Sequence, residues 1–68
     1  MDTFKIKDAI SQLNGMVKVS FRDGMTIHVN STDVVLLANN RVRVGTHKCA
    51  ASRVRSIVDG SDIYAKRS

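Results

Sequence analysis

Between positions 16 and 30 the chain alternates apolar and polar residues almost one for one, MVKVSF and then MTIHVN, on either side of Arg22-Asp23-Gly24. Alternation with period two sends successive side chains to opposite faces, so it specifies strands with one covered face. An Asp-Gly between two such runs is a hairpin signal. A two-residue Asp23-Gly24 loop would set Phe21 against Thr26 and Val19 against His28, mixing polar with apolar residues on one face. A three-residue loop, Arg22-Asp23-Gly24, sets Phe21 against Met25, Val19 against Ile27 and Val17 against Val29. Register follows the face that must be buried. The longer loop is therefore expected, as a type I turn with Gly24 left-handed in a G1 bulge. The core would hold Val17, Val19, Phe21, Met25, Ile27 and Val29, with Lys18 outside and Arg22 at the loop tip.

Upstream, DTFKIKDAISQLNG spaces Ile6, Ala9, Ile10 and Leu13 along one face of a helix over about 4–14. Asp2 or Thr3 can cap its first turn and Gly15 can end it in a left-handed conformation. Downstream, Ser31-Thr32-Asp33 reads as a turn, and VVLLA (34–38) as a strand covered on both faces or partly so. Asn39-Asn40 suits a type I′ hairpin turn, because asparagine tolerates positive φ. That two-residue turn would pair Leu37 with Val42 and Val35 with Val44, leaving Val34 and Leu36 on a second face. Helix and strand both fit AASRVRSIV (50–58); the favoured expectation for residues 46–58 is a strand at about 46–50, one helical turn at about 51–54 and a last strand at about 55–58. No internal repeat is visible.

A helix followed by short strands and tight turns is the order of a small, strongly bent antiparallel barrel. The expected fold is thus mainly β, an SH3-like or Sm-like barrel with an N-terminal helix; a two-layer α+β sandwich is the alternative. Sixty-eight residues make one small domain, expected over 1–60 with a basic tail at 61–68. At this size the core is marginal, so a tight fold or a homo-oligomer is expected. With three aromatic residues, Phe4, Phe21 and Tyr64, aliphatic side chains must build the core.

VKVSFRDGMTIHV (17–29) resembles the first strand pair of Sm-like and SH3-like small barrels. SRVRSI (52–57) resembles the closing segment of such barrels, as in Rof-type Rho-binding antiterminators and WYL domains. The resemblance covers roughly 16–58 and implies the barrel fold. The Asp…Asn nucleotide-binding pattern of Sm proteins is absent, so the resemblance carries no RNA pocket to this chain. Rof-type proteins are acidic and this chain is basic, so a Rho-binding role is not carried over either.

Chemistry begins with charge. A net charge of +5 and a pI near 10.0 favour polyanionic partners, nucleic acid foremost. On the outward strand faces fall Lys18, Arg41 and Arg43, with Arg22 beside them and Arg53 and Arg55 in the closing segment. Arg41-x-Arg43 and Arg53-x-Arg55 would each project two guanidiniums from one strand face, and such planar forks suit phosphate oxygens. The bland reading is that these arginines keep strand edges soluble and cover apolar surface with their stems. Val34 and Leu36, left on the second face, are candidates for a protein interface unless the helix stripe covers them.

Soft ligands are few: His28, His47 and Cys49. They fall short of the four ligands of a structural zinc site. A Cys49–histidine dyad has no visible orienting group, and no glycine pattern cradles phosphate. No cofactor, metal or membrane span is expected, and the lone cysteine with no export signal suggests a cytoplasmic protein. The expectation is a non-enzymatic bacterial or phage regulatory module. It would bind nucleic-acid backbone, RNA or DNA, through Lys18, Arg22, Arg41, Arg43, Arg53 and Arg55. The rival is a protein-binding adaptor or inhibitor of a host regulatory protein, such as a transcription-termination factor.

Overall fold

The structure, a computed structural model, describes residues 1–60; the expected basic tail lies outside the described residues. Helix α1 spans Thr3–Gln12. Its cap is Asp2, whose carboxylate accepts from the Lys5 amide at 2.9 Å, satisfying one of the amides that a helix start leaves unpaired. The helix ends slightly before the expected boundary, at a Leu13 with extended backbone, and Gly15 then turns the chain at φ +81.

Among the described residues six strands follow: β1 (Met16–Phe21), β2 (Thr26–Asn30), β3 (Val34–Leu37), β4 (Arg41–Val44), β5 (His47–Ala50) and β6 (Val54–Asp59). They form two antiparallel sheets of three, in orders β2-β1-β6 and β3-β4-β5, not one closed ring of strands. The first hairpin has the expected register: Val17 faces Val29 and Val19 faces Ile27. Phe21 donates to the Met25 carbonyl at 2.8 Å and accepts from Gly24 at 3.0 Å, and Gly24 sits at φ +94. Arg22-Asp23-Gly24 is therefore the loop. Met25, expected in the core, is 37% exposed; it lies outside the paired strands, just before β2.

The second hairpin departs from expectation. Asn39 and Asn40 do take positive φ, 62 and 58, but Ala38 joins the loop and the register slips by one. Val34 now faces Val44, Val35 faces Arg43, Leu36 faces Val42 and Leu37 faces Arg41. A slip of one residue exchanges the faces of a strand. Because every residue of VVLLA is apolar, this strand could not choose its own register; burial of Val34 beside Val42 and Val44 chose it. Val34 is accordingly 8% exposed and in the core, not on a free second face.

Two single-turn 3₁₀ segments, Ser31–Asp33 and Ala51–Arg53, carry the chain from sheet to sheet. The residues preceding them have nearly the same backbone, φ −68, ψ 146 at Asn30 and φ −66, ψ 142 at Ala50. Each turn buries its first residue, Ser31 or Ala51, and leads into a buried valine, Val34 or Val54. The chain thus uses one corner geometry twice, with too few residues in common for the repeat to be read from the sequence.

Between the sheets lie Ile6, Val17, Val19, Phe21, Val42, Val44, Val54 and Ile57, with Ala9, Ile10 and Leu13 of the helix packed against them. The Phe21 ring meets the ring of the exposed His47 edge-on, 5.3 Å between centroids, a contact between the two sheets beside the core. No helix among the described residues is long and apolar enough to cross a membrane.

Candidate polyanion interface

On the outer side of the second sheet, alternation brings together one residue set from three strands. Val35, Arg43 and Lys48 lie in one cross-strand row, and Leu37, Arg41 and Ala50 in the next. The face thus carries three cations and no carboxylate. Val35 and Leu37 are half-buried beside them, so long cationic stems can lie on apolar surface while their heads reach solvent. Arg43 is oriented, its Nη1 donating to the Gly45 carbonyl at 3.1 Å. Arg41 and Lys48 are exposed.

The slipped register leaves the outward placement of Arg41 and Arg43 intact, since β4 keeps Val42 and Val44 in the core. Lys48 is the cation that sequence reasoning missed. Its signal was the alternation of HKCA, which sets Lys48 and Ala50 opposite in direction to His47 and Cys49. That signal is short and becomes legible only once β5 is known to pair with β4.

The other expected site residues do not join this face as a strand array. Lys18 is half-buried on the outer side of the first sheet, paired with His28 on one flank and Val58 on the other. Arg53 closes a 3₁₀ turn and Arg55 is the second residue of β6, so Arg53-x-Arg55 is not a pair on one strand face. Arg55 is also the extra residue where the register shifts, between the Val54–Phe21 and Ser56–Ser20 pairs. Arg22 is tied to the second 3₁₀ turn: its amide donates to the Arg53 carbonyl at 2.9 Å and its Nε to the Ser52 carbonyl at 2.8 Å.

The second 3₁₀ turn nevertheless brings several cations near one another. Ala51 donates to the Asn40 carbonyl at 2.8 Å, which sets this turn against the start of β4. Arg41 and Arg53 both act on the Cys49 thiol, each favouring its thiolate, while Asp23 opposes them. Burial outweighs the two arginines and, with Asp23 acting in the same direction, pushes the thiol above its usual range, so Cys49 is a protonated, partly covered packing residue at neutral pH.

Leu36 is 37% exposed. It lines an apolar groove of about 350 Å³ between α1 and β3, with Ile6, Lys7, Ile10, Val34 and Val35. The helix stripe thus packs beside Val34, which is buried, and covers Leu36 only in part. His28 lies on the outer face of the first sheet, while His47 and Cys49 point to the core side of the second. The three soft ligands do not converge, and no group of three metal-ligating side chains forms among the described residues. Compared with known protein families, curated proteins and solved structures, the chain matches none.

Proposed function

We propose that this chain is a small, non-enzymatic regulatory module of bacterial or phage type. It grips the sugar-phosphate backbone of a nucleic acid with the outer face of its second sheet. The observation that carries this reading is the cation set Arg41, Arg43 and Lys48 on one face, whose paired positions on β3, β4 and β5 hold no carboxylate. Arg53 extends the positive field past the second 3₁₀ turn, while Lys18, Arg22 and Arg55 steer encounter from other sides. Guanidiniums offer paired donors to phosphate oxygens, and such contacts favour backbone over base sequence.

In this reading the two sheets are the halves of one partly open SH3-like or Sm-like barrel. β2 continues through the first 3₁₀ turn into β3, and β5 through the second into β6. Each sheet-to-sheet crossing is therefore a bent strand, which is how a small sheet curls around a core.

The test is binding to single-stranded and duplex nucleic acid over a salt series, for the native chain and the triple variant Arg41→Ala, Arg43→Ala, Lys48→Ala. Each phosphate contact contributes about −0.7 (single strand) to −0.9 (duplex) to the slope of log K against log salt. Removing three contacts should therefore flatten the slope by about two units or more. Affinity indifferent to salt, or a triple variant with the native slope, refutes the reading.

The rival, a protein-binding adaptor or inhibitor of a host regulatory factor, is favoured by the apolar groove under Leu36. A host partner retained after nuclease treatment, and lost on Leu36→Glu, would establish it in place of the first.

A further inference from the structure

At one end of the molecule lies an open cleft of about 630 Å³, within the roughly 300–1,000 Å³ that ligand sites occupy. Its walls come from four places distant in sequence: the start of α1 with Phe4, the first hairpin loop with Arg22, the second hairpin loop with Asn39 and Asn40, and the second 3₁₀ turn. Phe4 is 83% exposed, although the helix already supplies the core with Ile6, Ala9, Ile10 and Leu13. Its ring is therefore spare, and it is held over the cleft by a capped helical turn. Arg22 is pre-set: its Nε is engaged with the Ser52 carbonyl, which leaves both terminal amines as donors. The left-handed backbone at Asn39 and Asn40 presents two exposed carboxamides, each a donor and an acceptor.

An aromatic face, a planar cation and two carboxamides are the groups that recognise a flat heterocycle edge and face. Asp2 decides against a bare phosphate at this spot. Asp2 lines the same cleft and its carboxylate caps the helix, so the helix start is already occupied by negative charge. The cleft is also continuous with the cationic face, since Ala50 lines the cleft and pairs with Arg41.

We infer that this cleft receives one unstacked nucleobase of a single-stranded nucleic acid, stacked on Phe4, while the neighbouring phosphates lie on Arg41, Arg43 and Lys48. This rests on the backbone-gripping reading above. It adds a preference that backbone contact alone would not give: single strands over duplex, and base-bearing strands over base-free ones.

The experiment is fluorescence anisotropy with short oligothymidylate, short oligouridylate and an abasic oligomer of the same length, using native chain, Phe4→Ala, Phe4→Leu and Phe4→Tyr. Native protein should bind both base-bearing strands more tightly than the abasic one. Phe4→Ala and Phe4→Leu should lose about five- to a hundred-fold for the base-bearing strands and nothing for the abasic one. Phe4→Tyr should keep most of the affinity. Thermal midpoints should stay together, because the ring is not part of the core. Equal binding of base-bearing and abasic strands, or native affinity in Phe4→Ala, overturns the inference and leaves the backbone reading standing. No binding of any oligomer at low salt removes both.

Discussion

Gly60 tests how closely the end of β6 is sealed onto β1. It is buried, and its amide donates to the Met16 carbonyl at 3.0 Å. A β-carbon added there would stand 3.1 Å from the Val17 carbonyl carbon and 3.4 Å from both the Lys18 nitrogen and the Met16 carbonyl carbon. All three are backbone atoms of the central strand of the first sheet, so no side chain can swing aside. Gly60→Ala must push β6 off β1 or strain the bond to Met16. Overpacking of this kind costs about 1–3 kcal/mol, and each kcal/mol lowers the midpoint by about 4–8 °C in a domain this small. Gly24 provides the contrast. Nothing lies within 4 Å of a β-carbon there, but φ is +94, so its demand is conformational. Asparagine tolerates left-handed backbone better than alanine. Gly24→Asn should therefore recover part of what Gly24→Ala loses, whereas Gly60→Asn should be at least as unstable as Gly60→Ala. Urea and thermal unfolding followed by circular dichroism read both series. A Gly60→Ala midpoint equal to the native one would refute the close approach of the two strands.

Asp2→Ala removes the cap on the Lys5 amide and should cost about 0.5–2 kcal/mol, visible as a lower thermal midpoint, with Asp2→Ser recovering most of it. Cys49 has its thiol raised chiefly by burial. It should be alkylated more slowly than a free thiol at mildly alkaline pH, and Arg53→Ala should slow it further by removing a cation that favours the thiolate. A thiol whose folded pKa exceeds its unfolded value contributes stability below the unfolded pKa, and that contribution is lost as pH rises through the folded one. A pH titration of unfolding in the alkaline range should show this loss in native protein and not in Cys49→Ala.

Where polar residues alternate with apolar ones, local pattern and tertiary structure agree. The helix stripe ending in Leu13 and the first hairpin with its Arg22-Asp23-Gly24 loop were both legible. In each, a single register or a single face buries the apolar set. The pairing of β3 with β4 was not legible, because Val34, Val35, Leu36, Leu37 and Ala38 offer apolar side chains in both directions. Two registers then look equally good until the rest of the core is present. The basic site divides the same way. Arg41-x-Arg43 was readable because Val42 and Val44 fix the facing of their strand, while Arg53-x-Arg55 straddles a turn and a register shift that no local pattern announces.

What the chain's own order of residues determined is its alternation: which side chains of β1, β2 and β4 turn inward, where glycine or asparagine must bend the backbone, and that the surface would be basic. Tertiary structure decided the rest, because it depends on groups far apart in sequence meeting. It chose the β3 register by burying Val34 beside Val44, set Lys48 next to Arg43, and tied Arg22 to Ser52. It also left the Phe4 ring over a cleft walled by Asn39 and Asn40. None of those neighbours is within reach of a local rule, since each contact exists only after two sheets and a helix have closed on one core.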